Sequence, residues 1–333
     1  MNQPRLSPAA WRLQGFSLIE LIVSMAIGLI VLAATFSAYL SGSGASKIAE
    51  AQGVMNEDAQ AALSILTQQL RMAGNNPDQP NRTDLSRRNP VYGASAYPTG
   101  SFVTSNFTIR GCDGLFDNST TANRLDDLQC PAGASALPDA IALSYEADRF
   151  NTVPTVVPSN LPTDCLGVQL KPIIATLPVV GSTGVADAPV SYAVADNRFY
   201  IDRLSPGGAP SLYCKGNGDA STAQPLVENI EDFQLSYGMA NKALTDNSAT
   251  VAGYLTANEF VNQPDLAPLS NAERWARVLS VRICVLVRTA APMVSDVASA
   301  RYFNCDGLLE TAPPDLHLRH AYFTTVTLRN RQL

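Results

Sequence analysis

Gly15-Phe16-Ser17-Leu18-Ile19-Glu20 opens a run, Leu21-Ile-Val-Ser-Met-Ala-Ile-Gly-Leu-Ile-Val-Leu-Ala-Ala-Thr-Phe-Ser-Ala-Tyr-Leu40, whose reading decides the architecture. No residue between Glu20 and Lys47 is charged. A helix over 16–40 would be about 38 Å long, enough to cross the hydrocarbon layer of a bilayer. Residues 1–15 carry Arg5 and Arg12 and no acid. Such a flank keeps the N-terminus in the cytoplasm and sends the C-terminal bulk across. In a secretory signal peptide the small cleavage-site residue follows the apolar run. Here Gly15 precedes it, so the apolar run stays in the mature chain. Glu20 is the anomaly, because an ionised carboxylate costs on the order of 3 kcal/mol at the bilayer centre and less near a helix end. It calls for a partner.

Beyond the apolar run the helical pattern continues in a different form. Ile48, Met55, Ala59, Ala62, Leu63, Leu66, Leu70 and Ala73 recur at three- and four-residue spacings, with Glu50, Glu57, Asp58, Gln60, Gln68 and Arg71 elsewhere. That is the single apolar stripe of a soluble helix packed on one side. Gly74-Asn75-Asn76-Pro77 supplies the stop. Gly42, Gly44 and Gly53 mark the junction where bending or fraying is expected. The expected organisation is a leader at 1–15, a spanning helix at 16–40, its soluble half at 41–74 and a β-rich domain at 75–333.

The 333 residues are 46% apolar and 16% charged, which supports a sizeable core. A net charge of −6 without a basic cluster argues against nucleic acid as a partner. Six cysteines, Cys112, Cys130, Cys165, Cys214, Cys284 and Cys305, occur without a C-x-x-C pair and with two histidines in the whole chain. That pattern fits disulfides in an oxidising compartment better than zinc. Six cysteines allow 15 pairings. Sequence neighbours close the shortest loops, so 112–130, 165–214 and 284–305 are expected. For the last pair, a returning strand at Ala300–Phe303 would bring Cys305 beside Cys284.

Candidate strands are Phe102–Arg110, Ala140–Glu146, Ser191–Val194, Arg198–Arg203, Leu226–Tyr237, Val278–Arg288 and Ala321–Arg329, separated by Pro, Gly and Asn clusters. Segments 112–138, 204–224 and 239–275 read as surface insertions, and 75–100 as a long loop. Cys112-Asp-Gly-Leu115 recurs as Cys305-Asp-Gly-Leu308; both read as turns after a cysteine. The fold class is α+β: a long N-terminal helix on an antiparallel sheet domain with disulfide-bearing insertions.

Gly15-Phe16-Ser17-Leu18-Ile19-Glu20 resembles the prepilin processing motif of type IV pilins and type II secretion pseudopilins. The resemblance implies cleavage after Gly15 by a prepilin peptidase, N-methylation of Phe16, and Glu20 as the acid that pairs with a neighbouring subunit's new amine. Further blocks are similar to the soluble domain of PilW-family minor pilins. They are Tyr192–Arg203, Pro225–Gly238, Trp275 with the 278–289 strand, and Arg319–Arg331. The resemblance implies a type IV pilin-like fold and, as partners, the prepilin peptidase/N-methyltransferase, other minor and major pilins, and the inner membrane.

No G-x-S-x-G, P-loop, G-x-G-x-x-G or H-E-x-x-H motif is present, so no enzyme and no cofactor are expected. Asp113, Asp117, Asn118, Asp126 and Asp127 could hold calcium but lack EF-hand spacing, and read as a solvated loop. His317 and His320 read as surface or structural. Glu228, Glu231 and Asp232 read as the wet side of a strand. The leading reading is a minor pilin that helps initiate or assemble a type IV pilus. The rivals are a J-type minor pseudopilin of type II secretion, and an adhesin or ligand-binding subunit whose insertions at 112–138 or 239–275 touch a ligand.

Overall fold

The computed structural model describes residues 15–75, 91–92, 103–104, 107–122, 124–133, 137–156, 159–181, 184–205, 207–219, 222–241 and 249–331. Leader residues 1–14 and most of the 75–100 loop lie outside the described residues. Helix α1 runs without interruption from Leu18 to Met72, through Gly42, Gly44 and Gly53. It stops where expected. Gly74 takes φ 73°, a left-handed conformation that glycine adopts without penalty, and its N–H donates to Ser144 O at 2.9 Å.

The chain divides into two compact units, one ending at Ala51 and one starting at Gln52. Among its described residues the first is helical from Leu18 onward. It is long and apolar enough to cross a membrane, and its leucines, isoleucines and valines from Leu18 to Leu40 are exposed on every side.

The second unit holds the rest of α1 and the strands. Strands β1 (Val91–Tyr92) and β2 (Val103–Thr104) form a short pair. One antiparallel sheet has the order β3 (Ile109–Cys112), β4 (Ala140–Ala147), β6 (Gly184–Arg203), β7 (Pro210–Lys215), β8 (Gln224–Glu228). Strand β5 (Ile173–Gly181) pairs with the first half of β6. The second sheet has the order β10 (Val251–Leu255), β9 (Ile230–Ala240), β11 (Val278–Arg288), β14 (Arg319–Thr327). Strands β12 (Tyr302–Phe303) and β13 (Leu309–Glu310) make a small hairpin. Two short helices, α2 (Ala257–Asn262) and α3 (Asn271–Trp275), each begin with a capping box.

One core joins these parts. Met55, Ala59, Ala62, Leu66 and Leu70 of α1 are buried against both sheets, together with Phe260 and Trp275 of the short helices. Each buried aliphatic side chain contributes about 1.5–3 kcal/mol. Polar contacts fix this part of the helix from Asn56 onward. Asn229 Nδ2 donates to Asp58 Oδ2 (3.4 Å), Asn197 Nδ2 to Gln69 Oε1 (2.9 Å), Asn330 Nδ2 to Arg71 O (2.8 Å), and Tyr322 Oη to Asn56 Oδ1.

Several expectations are corrected. Ser191–Val194 and Arg198–Arg203 are one strand, β6. The intervening Asp196-Asn197 is fully buried, because Arg198 pairs with Asp196, and Asn197 donates to Gln69 and Tyr145. Leu226–Tyr237 is two strands in different sheets. The chain turns at Asn229, which holds φ 63°, a region that asparagine tolerates better than most residues. Of Phe102–Arg110, strand occurs at Val103–Thr104 and from Ile109. The last strand is Arg319–Thr327 in place of Ala321–Arg329. The segments read as surface insertions instead feed the core. Phe116, Leu125 and Leu128 are buried, 204–224 contains the interior strand β7, and 239–275 supplies β10, Phe260 and Trp275. Strand at Ala300–Phe303 is limited to Tyr302–Phe303, and it pairs with β13 rather than returning along β11. The neighbours of β11 are β9 and β14.

Candidate functional site

Helix α1 begins with a hydrogen-bond pattern local to the sequence motif. Ser17 N–H and Oγ–H both donate to Glu20 Oε2, at 2.9 and 3.0 Å, and Glu20 N–H donates to Ser17 Oγ at 3.3 Å. This is a capping box, with Ser17 as the N-cap and Glu20 at the third helical position, and it satisfies N–H groups that a helix start leaves unpaired. The sequence reading missed this use of Glu20. The signal was available: Ser-x-x-Glu directly before an apolar run. Both bonds to the carboxylate fall on Oε2, and Oε1 has no hydrogen-bond partner among the described residues. Phe16, the residue before Ser17, is 90% exposed. Gly15 is the first described residue, and space around its Cα is open.

The other candidate residues are the cysteines, and all six are bonded. The bonds join Cys112 to Cys130, Cys165 to Cys214, and Cys284 to Cys305, with Cα separations of 5.4, 6.5 and 5.7 Å. The first ties the end of β3 to the segment before β4. The second ties a loop to the C-terminal end of β7. The third ties β11 to the turn after β12. Chain-entropy arithmetic gives about 3 kcal/mol for the two short loops and about 4 kcal/mol for the 165–214 loop. Of the two Cys-Asp-Gly-Leu segments, the second is a turn closed by Gly307 N–H donating to Asn304 O and the first is a bend at the end of β3, with Gly114 at φ 97° and Gly307 at φ 74°.

Charged groups inside the domain act as fasteners. The Asp113 carboxylate accepts from Thr256 Oγ1 (2.7 Å) and Ala257 N–H (2.8 Å), anchoring the start of α2. Asp139 accepts from Leu235 N–H at 2.7 Å and Gly114 N–H at 3.4 Å, bridging the two sheets. Burial, with the charge of Asp113 adding to it, pushes the Asp139 carboxyl up to about 8 against those two bonds. Asn118 closes its own loop, accepting from Gln129 N–H and donating to Asp127 O, while Asp127 pairs with Arg124. Among the described residues no three His, Cys, Asp or Glu converge as a metal set.

Glu231, read as the wet side of a strand, instead forms an ion pair with the buried Arg319, which also binds Asp315 at 2.7 Å. The hydrogen bond from Arg319 holds the Asp315 carboxyl down at about 2. His317 Nδ1 meets Thr289 O at 2.6 Å, and the His320 ring meets Tyr322 edge-on. His317 is thus tied to the backbone, while His320 lies exposed on β14.

Comparison with known proteins adds to this geometry. The family described as type IV pilus-assembly protein W matches residues 198–330, and the prokaryotic N-terminal methylation motif matches residues 12–36. A type IV-like pilin from Thermus thermophilus is similar at 13% identity with a TM-score of 0.26, over 60% of this chain and 82% of that one. No curated protein matches the chain. The motif match spans Gly15, Phe16 and Glu20, and implies processing by a prepilin peptidase and pilin partners in general. The domain match takes in the C-terminal part of β6, strands β7–β14 and the Glu231–Arg319 pair. Neither is an enzyme family. The chain is type IV pilin-like: residues 198–330 match the PilW family and residues 12–36 match the N-terminal methylation motif.

Proposed function

We propose that the protein is a minor structural subunit that takes part in initiating and assembling a type IV pilus. The observation that carries the reading is the first half of α1: apolar on all sides, exposed throughout, and headed by the methylation motif. Such a surface needs lipid or other apolar helices around it. The chain is held in the inner membrane with residues 1–15 in the cytoplasm and the disulfide-bonded domain in the periplasm. A prepilin peptidase cuts after Gly15, and Phe16 is methylated. The apolar helix then leaves the bilayer and buries itself among the helices of other pilins.

Glu20 has two tasks in this scheme. Oε2 caps its own helix through Ser17, while Oε1 receives the cationic Phe16 amine of an adjacent subunit. Burying the two opposite charges together is tolerable where burying either alone is not.

Mass spectrometry of membrane-extracted protein is expected to show a chain starting at methylated Phe16. Glu20→Val is expected to be inserted and cleaved normally, because losing a charge eases entry into lipid, yet to fall out of complexes with other pilins. An intact N-terminus in cells with active peptidase, or full recovery of Glu20→Val with its partners, would overturn the proposal.

A further inference from the structure

The two segments at 112–133 and 257–275 meet at one cavity of about 450 Å³ beside the Cys112–Cys130 disulfide. Its volume falls in the range of small-molecule sites. One wall is apolar, made by Leu128, Pro131, Val261 and the disulfide, with the buried Trp275 behind them. Gln129 and Asn271 line the opening, and their side-chain amides have no hydrogen-bond partner among the described residues. Asp113 is already occupied, and Arg110 is occupied in part. Both Asp113 oxygens are bonded to the start of α2, and Arg110 Nη1 donates to the carbonyls of Leu125 (2.9 Å) and Asp126 (3.2 Å).

We infer that this cavity binds the end of a neutral glycan, one or two pyranose rings in size. The chemistry follows from the lining. Amides offer donors and acceptors together, which is what ring hydroxyls need. The apolar wall matches the C–H face of a pyranose. An anionic ligand meets opposition, because Asp126 and Asp127 already lie close enough to Arg110 to act on its charge. Gln129 and Asn271 are both exposed, and a wholly apolar ligand would cover them without replacing the hydrogen bonds they make to water. This site is separate from the N-terminal assembly motif and does not depend on it.

Trp11 and Trp275 are the two tryptophans of the chain, so full-length protein carrying Trp11→Phe has a single reporter at the cavity wall. The protein is held in a detergent without a sugar headgroup. It is titrated with methyl glycosides of glucose, galactose, mannose, N-acetylglucosamine and N-acetylgalactosamine, and separately with glutamate and citrate. Trp275 emission and saturation-transfer NMR are recorded in parallel. The expected result is a saturable response to at least one neutral glycoside. It should weaken about tenfold in the double variant Gln129→Ala/Asn271→Ala, as two lost hydrogen bonds predict, at unchanged melting temperature. Silence in both readouts for all five glycosides overturns the inference. So does a response that the double variant leaves intact, or one confined to the carboxylates.

Discussion

Helix α1 has two halves that differ in how they place apolar residues, and the difference says where each half finds its partner. From Leu18 to Leu40 apolar side chains point in every direction; Leu32 is 65% exposed. From Gln52 to Met72 they are confined to a stripe, and Leu66 is 0% exposed. A stripe is complemented inside the same chain, by the two sheets. An all-round apolar surface is complemented outside it. The same residue type, leucine on a regular helix, is therefore a stability determinant in one half and an interaction determinant in the other.

The largest effect should come from putting a charge on each half. Leu66→Asp is expected to cost more than about 4 kcal/mol, because it buries an unpaired carboxylate in the core, and to abolish the cooperative melt in near-UV circular dichroism. Leu32→Asp should leave that melt unchanged. Equal melts for the two variants would erase the contrast between the halves.

A smaller effect, confined to the folded unit, concerns Asp139. Its carboxyl sits at about 8 when folded against about 4 when unfolded. The folded state therefore holds a proton that the unfolded state releases. This contribution is complete below about pH 4 and is lost as pH rises through about 8. Melting temperatures of wild type and Asp139→Asn, compared from pH 4 to 8, are expected to shift steadily in favour of the variant. A constant difference across that range would show that Asp139 does not titrate as its burial requires.

The smallest effect is at the other end of α1. Ser17→Ala removes the N-cap and should cost about 1 kcal/mol, felt locally. Faster amide exchange is expected at Leu18–Glu20, with Gln52–Met72 unaffected. Exchange that changes in both halves would mean that the helix responds as one cooperative rod.

Much of the architecture was legible because it rests on local pattern. The helix stop at Gly74, strands β4 and β11, and the start of the apolar run all follow from periodicity and turn chemistry within a few residues. The disulfide pairs followed from loop length, although the returning strand invoked for Cys305 is a two-residue hairpin arm. The capping role of Glu20 was equally local and was overlooked, because the charge in an apolar run drew attention to a distant partner.

The illegible parts share one cause. Asp196-Asn197 looks like a turn until Arg198, Gln69 and Tyr145 are brought to it. Residues 204–224 look like a loop until β6 and β8 flank β7. Glu231 looks solvated until Arg319 arrives from 88 residues away.

The sequence alone determined that this chain has an all-round apolar helix, a one-sided continuation and an oxidised, strand-rich domain. Each of these properties is set by spacing along the backbone and by residue type. Only the tertiary structure decided which polar groups are buried, where the chain changes sheets at Asn229, and that two separate segments share a cavity. A buried polar group is tolerable only with its hydrogen-bond partners in place, and here those partners come from remote parts of the chain.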